Sequence, residues 1–110
     1  MTTVASRKAK GRKAQQLFRD MMLEWAGDVL DPADLKSVSM GETGSDIYFS
    51  PAALDLFSFD SVEVKCQERL NVWAALQQME AHGKRPILAF KRNRSEMYVC
   101  MKASDFFDII

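Results

Sequence analysis

Cysteine and histidine are scarce in this chain, and their scarcity excludes much. Two cysteines, Cys66 and Cys100, and one histidine, His82, are spread over 110 residues. So few thiols, so far apart, suit neither a zinc site nor a disulfide framework. Both cysteines read instead as buried thiols in a reducing, cytoplasmic compartment. Net charge is missing too: 15 Lys plus Arg balance 15 Asp plus Glu, so the whole-chain figure says nothing of a polyanionic partner. No uninterrupted apolar stretch approaches the roughly 20 residues of a membrane-spanning helix. The first residues are basic rather than apolar, unlike a secretory signal. Repeats and linkers are also lacking.

What is present is ordinary in amount, with 47% apolar and 27% charged residues, as in a soluble globular chain. The length suits one domain around one core. Residues 1–7 read as a disordered basic tail and residues 8–110 as that domain. The placement of charge is less ordinary. Between Ser6 and Arg19 stand Arg7, Lys8, Lys10, Arg12, Lys13 and Arg19, with no acid. A second cluster comprises Lys84, Arg85, Lys91, Arg92 and Arg94. Two basic patches on a neutral chain fit local phosphate contacts, though solvated surface charge produces the same pattern.

Ala14, Leu17, Phe18, Met21, Met22 and Trp25 recur at helical spacing and predict a helix from about Lys8 to Ala26, stopped by Gly27. Asp31-Pro32 marks a turn. Val38 and Met40 alternate with Ser37 and Ser39, which predicts a short strand, and Gly41 to Gly44 a loop. Asp46 to Ser50 reads as a second strand. Ser50-Pro51 starts a helical turn through Leu56, with proline in its favoured first position. Ser61 to Gln67 is the clearest strand. Leu70 to His82 reads as a helix ended by Gly83, and Pro86 to Phe90 and Met97 to Met101 as two more strands. Arg92 to Ser95 supplies the turn between them, and Ser104 to Ile110 a capped helical turn. The order α-β-β-β-α-β-β implies an α/β or α+β domain on a mixed sheet. Trp25 and Trp73 fall on apolar faces and are expected in the core.

The segment from Ser61 to Gln67 carries the chemistry. Side chains alternate along a strand, so Val62, Val64 and Cys66 share a core face, while Glu63, Lys65 and Gln67 share the other. The second set puts a carboxylate, an ammonium and an amide in a row, each about 7 Å from the next. Upstream, Gly44-Ser45-Asp46 brings a second carboxylate to the start of a strand. If the two strands are neighbours, Asp46 and Glu63 can converge on one divalent ion. Two carboxylates and a backbone carbonyl offer hard oxygen ligands for Mg²⁺, which suits phosphodiester hydrolysis. Lys65 could then orient a water or offset charge on the phosphate, and Gln67 could hold water or the DNA backbone. A solvent-facing strand with paired charges shows the same alternation.

With these residues in this order, the chain resembles the PD-(D/E)XK nuclease superfamily. Gly44-Ser45-Asp46 stands for its Asp motif, with Ser45 where the family often has proline, and Glu63-Val64-Lys65 for its second motif. The resemblance runs from Lys10 to about Met101. It implies a restriction-endonuclease-like α-β-β-β-α-β core, with Asp46, Glu63 and the Val64 carbonyl holding Mg²⁺ (or Mn²⁺ in its place). Asp46, Glu63, Lys65, Gln67 and Ser39 would then form the catalytic set. Within the superfamily the chain looks most like archaeal-type Holliday junction resolvases and small phage endonucleases, which also allows a phage-encoded origin. Those resolvases open their first helix on a basic Lys-Gly segment, seen here as Lys10-Gly11-Arg12, and place a serine before the Asp strand, for which Ser39 is the nearest match. One departure stands out. Their first helix carries a glutamate that supports the metal, and here that position is Gln15, an amide without charge.

The resemblance therefore implies a metal-dependent endodeoxyribonuclease acting on branched DNA, first of all a Holliday junction resolvase, working as a homodimer. Arg7, Lys8, Lys10, Arg12, Lys13, Arg92 and Arg94 would grip the DNA backbone. Another nuclease of the same fold, a DNA-binding module without turnover, and a plain interaction protein are the rival readings. His82, at a helix end, reads as a partner of the helix dipole rather than a base. Tyr48 either faces the cleft beside Asp46 or covers the sheet.

Overall fold

The structure, a computed structural model, describes residues 3–39 and 44–110. Helix α1 (Val4–Ala26) begins where Thr3 caps it, the Thr3 hydroxyl accepting the Ser6 N–H at 3.0 Å. It therefore starts four residues earlier than the apolar spacing predicts. A capped terminus needs no buried side chain, so Val4 to Arg7 are helical yet exposed rather than a disordered tail. Phe18, Met22 and Ala26 follow Ala14 at four-residue steps as its buried stripe. Gly27, at φ +59, ends the helix in a conformation that side chains resist.

Two short 3₁₀ turns lead to β1 (Leu35–Ser37), which pairs antiparallel with β2 (Ile47–Phe49). The strand predicted from Ser37 to Met40 lies earlier, at Leu35. Its register is set by burial: Leu35, fully buried, sits opposite Phe49, and Ser37 opposite Ile47. Met40 and residues 41–43 of the predicted loop lie outside the described residues. Helix α2 (Pro51–Leu56) follows the Ser50 cap, whose hydroxyl accepts the Ala53 N–H and donates to Asp34 at 2.7 Å. Both the cap and the proline were legible in the sequence.

Strand β3 (Ser61–Cys66) runs parallel to β4 (Pro86–Lys91), from Ser61 opposite Pro86 to Cys66 opposite Lys91. Helix α3 (Val72–Glu80) makes the crossover that a parallel pair requires. Strand β5 (Tyr98–Cys100) returns antiparallel to β4. Arg94, at φ +61, turns the chain between them, and Ser95 bonds back to Arg92. Helix α4 (Ala103–Ile109) closes the described chain. Among the described residues, four α-helices and both parallel and antiparallel pairings make this a mixed α+β structure.

The described strands form two sheets rather than the single mixed sheet expected, β1–β2 and β3–β4–β5, and α1 covers both. On one face α1 packs Ala14, Phe18 and Met22 against Leu35, Ile47, Val62, Val64, Ile87 and Ala89. On the other, Ala75 and Met79 of α3 cover Leu88, with Phe90 and Cys100 beside them. Each large apolar side chain so buried contributes about 1.5–3 kcal/mol. Alternation thus holds in β3 and β4, and it puts Val62 and Val64 under α1.

Both tryptophans depart from expectation. Trp73 is 81% exposed and Trp25 68%. Trp73 is the second residue of α3, beyond the sheet that Ala75 and Met79 cover. Trp25 lies one position off the α1 stripe and leans on Phe57 with ring centroids 5.3 Å apart. Cys66 and Cys100 are half-buried free thiols rather than fully buried ones. No described helix is long and apolar enough to cross a membrane.

Candidate functional site

β2 and β3 meet through one short junction. The Asp46 N–H donates to the Val62 carbonyl at 2.8 Å, and the Ser45 hydroxyl accepts the Val62 N–H at 2.9 Å while donating to Ile47 at 2.7 Å. Next along β3, the N–H of Val64 is taken not by backbone but by the Asp46 carboxylate, at 2.7 Å. The side chain of Asp46 thus ends the pairing, and its own backbone turns away. N–H and C=O of alternate residues point to the same strand edge. The carbonyl of Val64 therefore opens on the Asp46 side.

Glu63 and Lys65 project from the opposite face to Val62 and Val64, in register with Leu88 and Phe90 under α3. Their side chains are 12% and 22% exposed and form an ion pair at 3.5 Å. Burial raises the pKa of Glu63, and the neighbouring Asp46 charge raises it further, while Lys65 pulls it down. Asp46 is also raised by burial, against the Val64 N–H and Lys65, which favour its ionised form. Two carboxylates that resist ionising together, with one ammonium between their interests, define a site short of positive charge.

His82 belongs to this neighbourhood, which its sequence position did not suggest. Its charge favours the ionised form of both Asp46 and Glu63. The turn after α3 explains its placement. Asp60 accepts the backbone N–H groups of Lys84 and Arg85, each at 3.0 Å, and clamps that turn to the start of β3. A Cβ at Gly83 would overlap Asp60 Oδ1 and Ser61 Oγ, so only glycine allows the approach. Gly83 was the available signal, and its reading as a helix stop concealed the contact.

The remaining expected residues divide. Gln67 lines an open cleft of about 530 Å³ at the exit of β3, together with Lys65, Arg69, Arg7 and Lys10. Lys8, Arg12 and Lys13 are exposed on α1, as are Arg92 and Arg94 in the β4–β5 turn. Gln15 is buried and accepts the Ser37 hydroxyl at 2.9 Å. Ser37 sits opposite Ile47, on the α1 side, whereas Glu63 is in register with Leu88 on the α3 side. Ser39 is exposed, and Ser37 holds the buried contact instead. Tyr48 is exposed beside Lys36, on the face away from α1. Arg19, counted among the basic cluster, is engaged in structure: its Nε donates to the Leu35 carbonyl at 2.7 Å and its Nη2 to that of Pro32 at 2.8 Å.

No protein-family model, curated protein or solved structure matches this chain. Among the described residues no group of three or more His, Cys, Asp or Glu side chains is placed to hold a metal. The site offers two carboxylates, one backbone carbonyl and a lysine.

Proposed function

We propose that the chain is a metal-dependent endodeoxyribonuclease of the PD-(D/E)XK kind, with a restriction-endonuclease-like core, acting on branched DNA. One observation carries the reading: the Asp46 carboxylate reaches across to Val64 of β3 and perturbs Glu63, which in turn pairs with Lys65. Asp46 and the residues 17 and 19 positions after it thereby meet along β3, which supports a role in metal-assisted phosphodiester hydrolysis.

The donor set fits Mg²⁺ or Mn²⁺. Two half-buried carboxylates with raised pKa values repel each other, and a divalent cation relieves that repulsion. Asp46, Glu63 and the Val64 carbonyl are hard oxygen donors, and waters would complete the coordination that two carboxylates leave open. When bound, the ion supplies an activated water and offsets charge on the phosphate. The residues of the chain do the rest. Lys65 leaves Glu63 for the phosphate oxygens or orients the attacking water, the Val64 N–H keeps Asp46 in place, and Gln67 holds the neighbouring backbone. Arg7, Lys8, Lys10, Arg12, Lys13, Arg92 and Arg94 contribute phosphate contacts. A domain this small meets a four-way junction as a homodimer, for which Trp73 on α3 and Phe107 on α4 offer exposed apolar surface.

Cleavage of four-way junction, flap and linear duplex DNA, with Mg²⁺ and with chelator, tests the reading. Metal-dependent cleavage, strongest on a branched substrate and lost in Asp46→Asn and Glu63→Gln, is expected. Cleavage that survives in those variants, or DNA binding without cleavage at any metal concentration, overturns it, the second outcome in favour of a binding module without turnover.

A further inference from the structure

The cleft beside Lys65 does not end at Gln67. A second hollow of about 320 Å³ adjoins it, shares Gln67 and Glu68 with it, and reaches Lys91, Arg92 and Tyr98 at the β4–β5 hairpin. Among the described residues that line the combined course stand Arg7, Lys10, Lys65, Arg69, Lys91 and Arg92, against the single acid Glu68. At its far end Tyr98 is 58% exposed and stacks on Phe90, with ring centroids 6.0 Å apart and planes 29° from parallel. Phe90 is partly buried against the α3 core, so it backs Tyr98 with a fixed surface.

A cationic groove that ends on a backed, exposed aromatic ring has the two components of single-strand recognition. Charge follows the phosphates, and an aromatic face accepts any base. A duplex hides its bases and would leave the ring unused. At about 530 and 320 Å³ the two hollows lie in the size range of small-molecule sites. The side-chain amides of Gln67 and Asn93, on the wall of the first hollow, can bond to sugar or base edges without demanding a sequence.

We infer that this track binds an unpaired nucleic-acid strand leading away from Lys65, with one base stacked on Tyr98. The inference rests on the nuclease reading for its direction, since Lys65 is where the track meets the proposed reaction centre. Within branched DNA it favours structures with an unpaired arm, such as a flap, over the fully paired four-way junction. Arg69, Asn93 and Tyr98 become binding residues that neither motif indicates.

Fluorescence anisotropy in chelator, where no cleavage occurs, tests the track by itself. The probes are a fluorescein-labelled oligothymidylate and a mixed-sequence duplex of equal length. Tighter binding of the single strand is expected, with a loss of about tenfold in Tyr98→Ala, recovery in Tyr98→Phe, and a shallower salt dependence in Arg69→Ala. Thermal melting of each variant confirms the fold, and the exposure of Tyr98 makes its replacement tolerable. Equal binding of duplex and single strand, or a folded Tyr98→Ala that binds as the parent does, overturns the inference. Cleavage of a flap substrate with Mg²⁺ separates the two ideas. Turnover with Tyr98→Ala unimpaired keeps the nuclease and removes the track, whereas Tyr98-dependent single-strand binding without turnover does the reverse.

Discussion

The Asp46 carboxylate accepts the Val64 N–H at 2.7 Å and so occupies a position that a continuous β2–β3 ladder would give to a backbone carbonyl. The strands part where the side chain intervenes. The parting leaves the Val64 carbonyl and the Glu63–Lys65 pair beside an open edge.

The pH dependence of stability follows from the two carboxylates. Both are raised from ordinary values of 3.8 for Asp46 and 4.5 for Glu63, chiefly by burial. A carboxyl raised in the folded state holds its proton more tightly than the unfolded chain does. Its contribution to stability is therefore full below the unfolded value and is lost as pH rises through the folded one. Melting temperature in chelator should fall as pH climbs from about 4 through the raised values, and the decline should flatten in Asp46→Asn/Glu63→Gln. A parallel decline in the double variant would assign it elsewhere.

Lys65→Ala separates binding of the metal from chemistry. Removing the ammonium 3.5 Å from Glu63 pushes that carboxyl further up, so Mn²⁺ binding by calorimetry should persist and shift to higher pH. Cleavage should drop by a factor on the order of 10²–10³, the usual scale for losing one charge-stabilising group. Unchanged turnover would remove Lys65 from the mechanism.

Gly83→Ala should destabilise the chain although its site is a surface turn. The added methyl meets Asp60 and Ser61 at the start of β3, and the crowding should cost about 1–3 kcal/mol. The melting temperature reports it, and a parallel fall in Mn²⁺ affinity would show that the clamp also aligns Glu63 and His82. A melting temperature equal to the parent's would mean that the turn relaxes freely.

Arg19→Lys should behave as a stability variant, with DNA affinity nearly kept. Two carbonyls, of Leu35 and Pro32, are bonded at once by the Arg19 guanidinium, a geometry that a lysine ammonium does not reproduce. A loss of about 1.5–3 kcal/mol is expected from bonds to a charged donor. Chemical denaturation measures it, and weakened DNA binding without lost stability would add Arg19 to the phosphate-contacting set.

Local geometry made part of this protein readable from its residues alone. The division of β3 into Val62 and Val64 against Glu63 and Lys65 follows from the period of a strand, and nothing distant alters it. The Ser50-Pro51 cap, the turn at Arg92 to Ser95 and the helix between β3 and β4 rest on equally short-range chemistry. Tertiary structure decided the rest, because it depends on which surfaces cover one another. Asp46 meets Val64 only once Leu35, Ile47 and Val62 share a core beneath α1. The same packing puts Gln15 against Ser37 rather than beside Glu63, exposes Trp25 and Trp73, and commits Arg19 to two carbonyls. A spacing of residues specifies the face each side chain occupies. Only the competition for burial settles which faces meet.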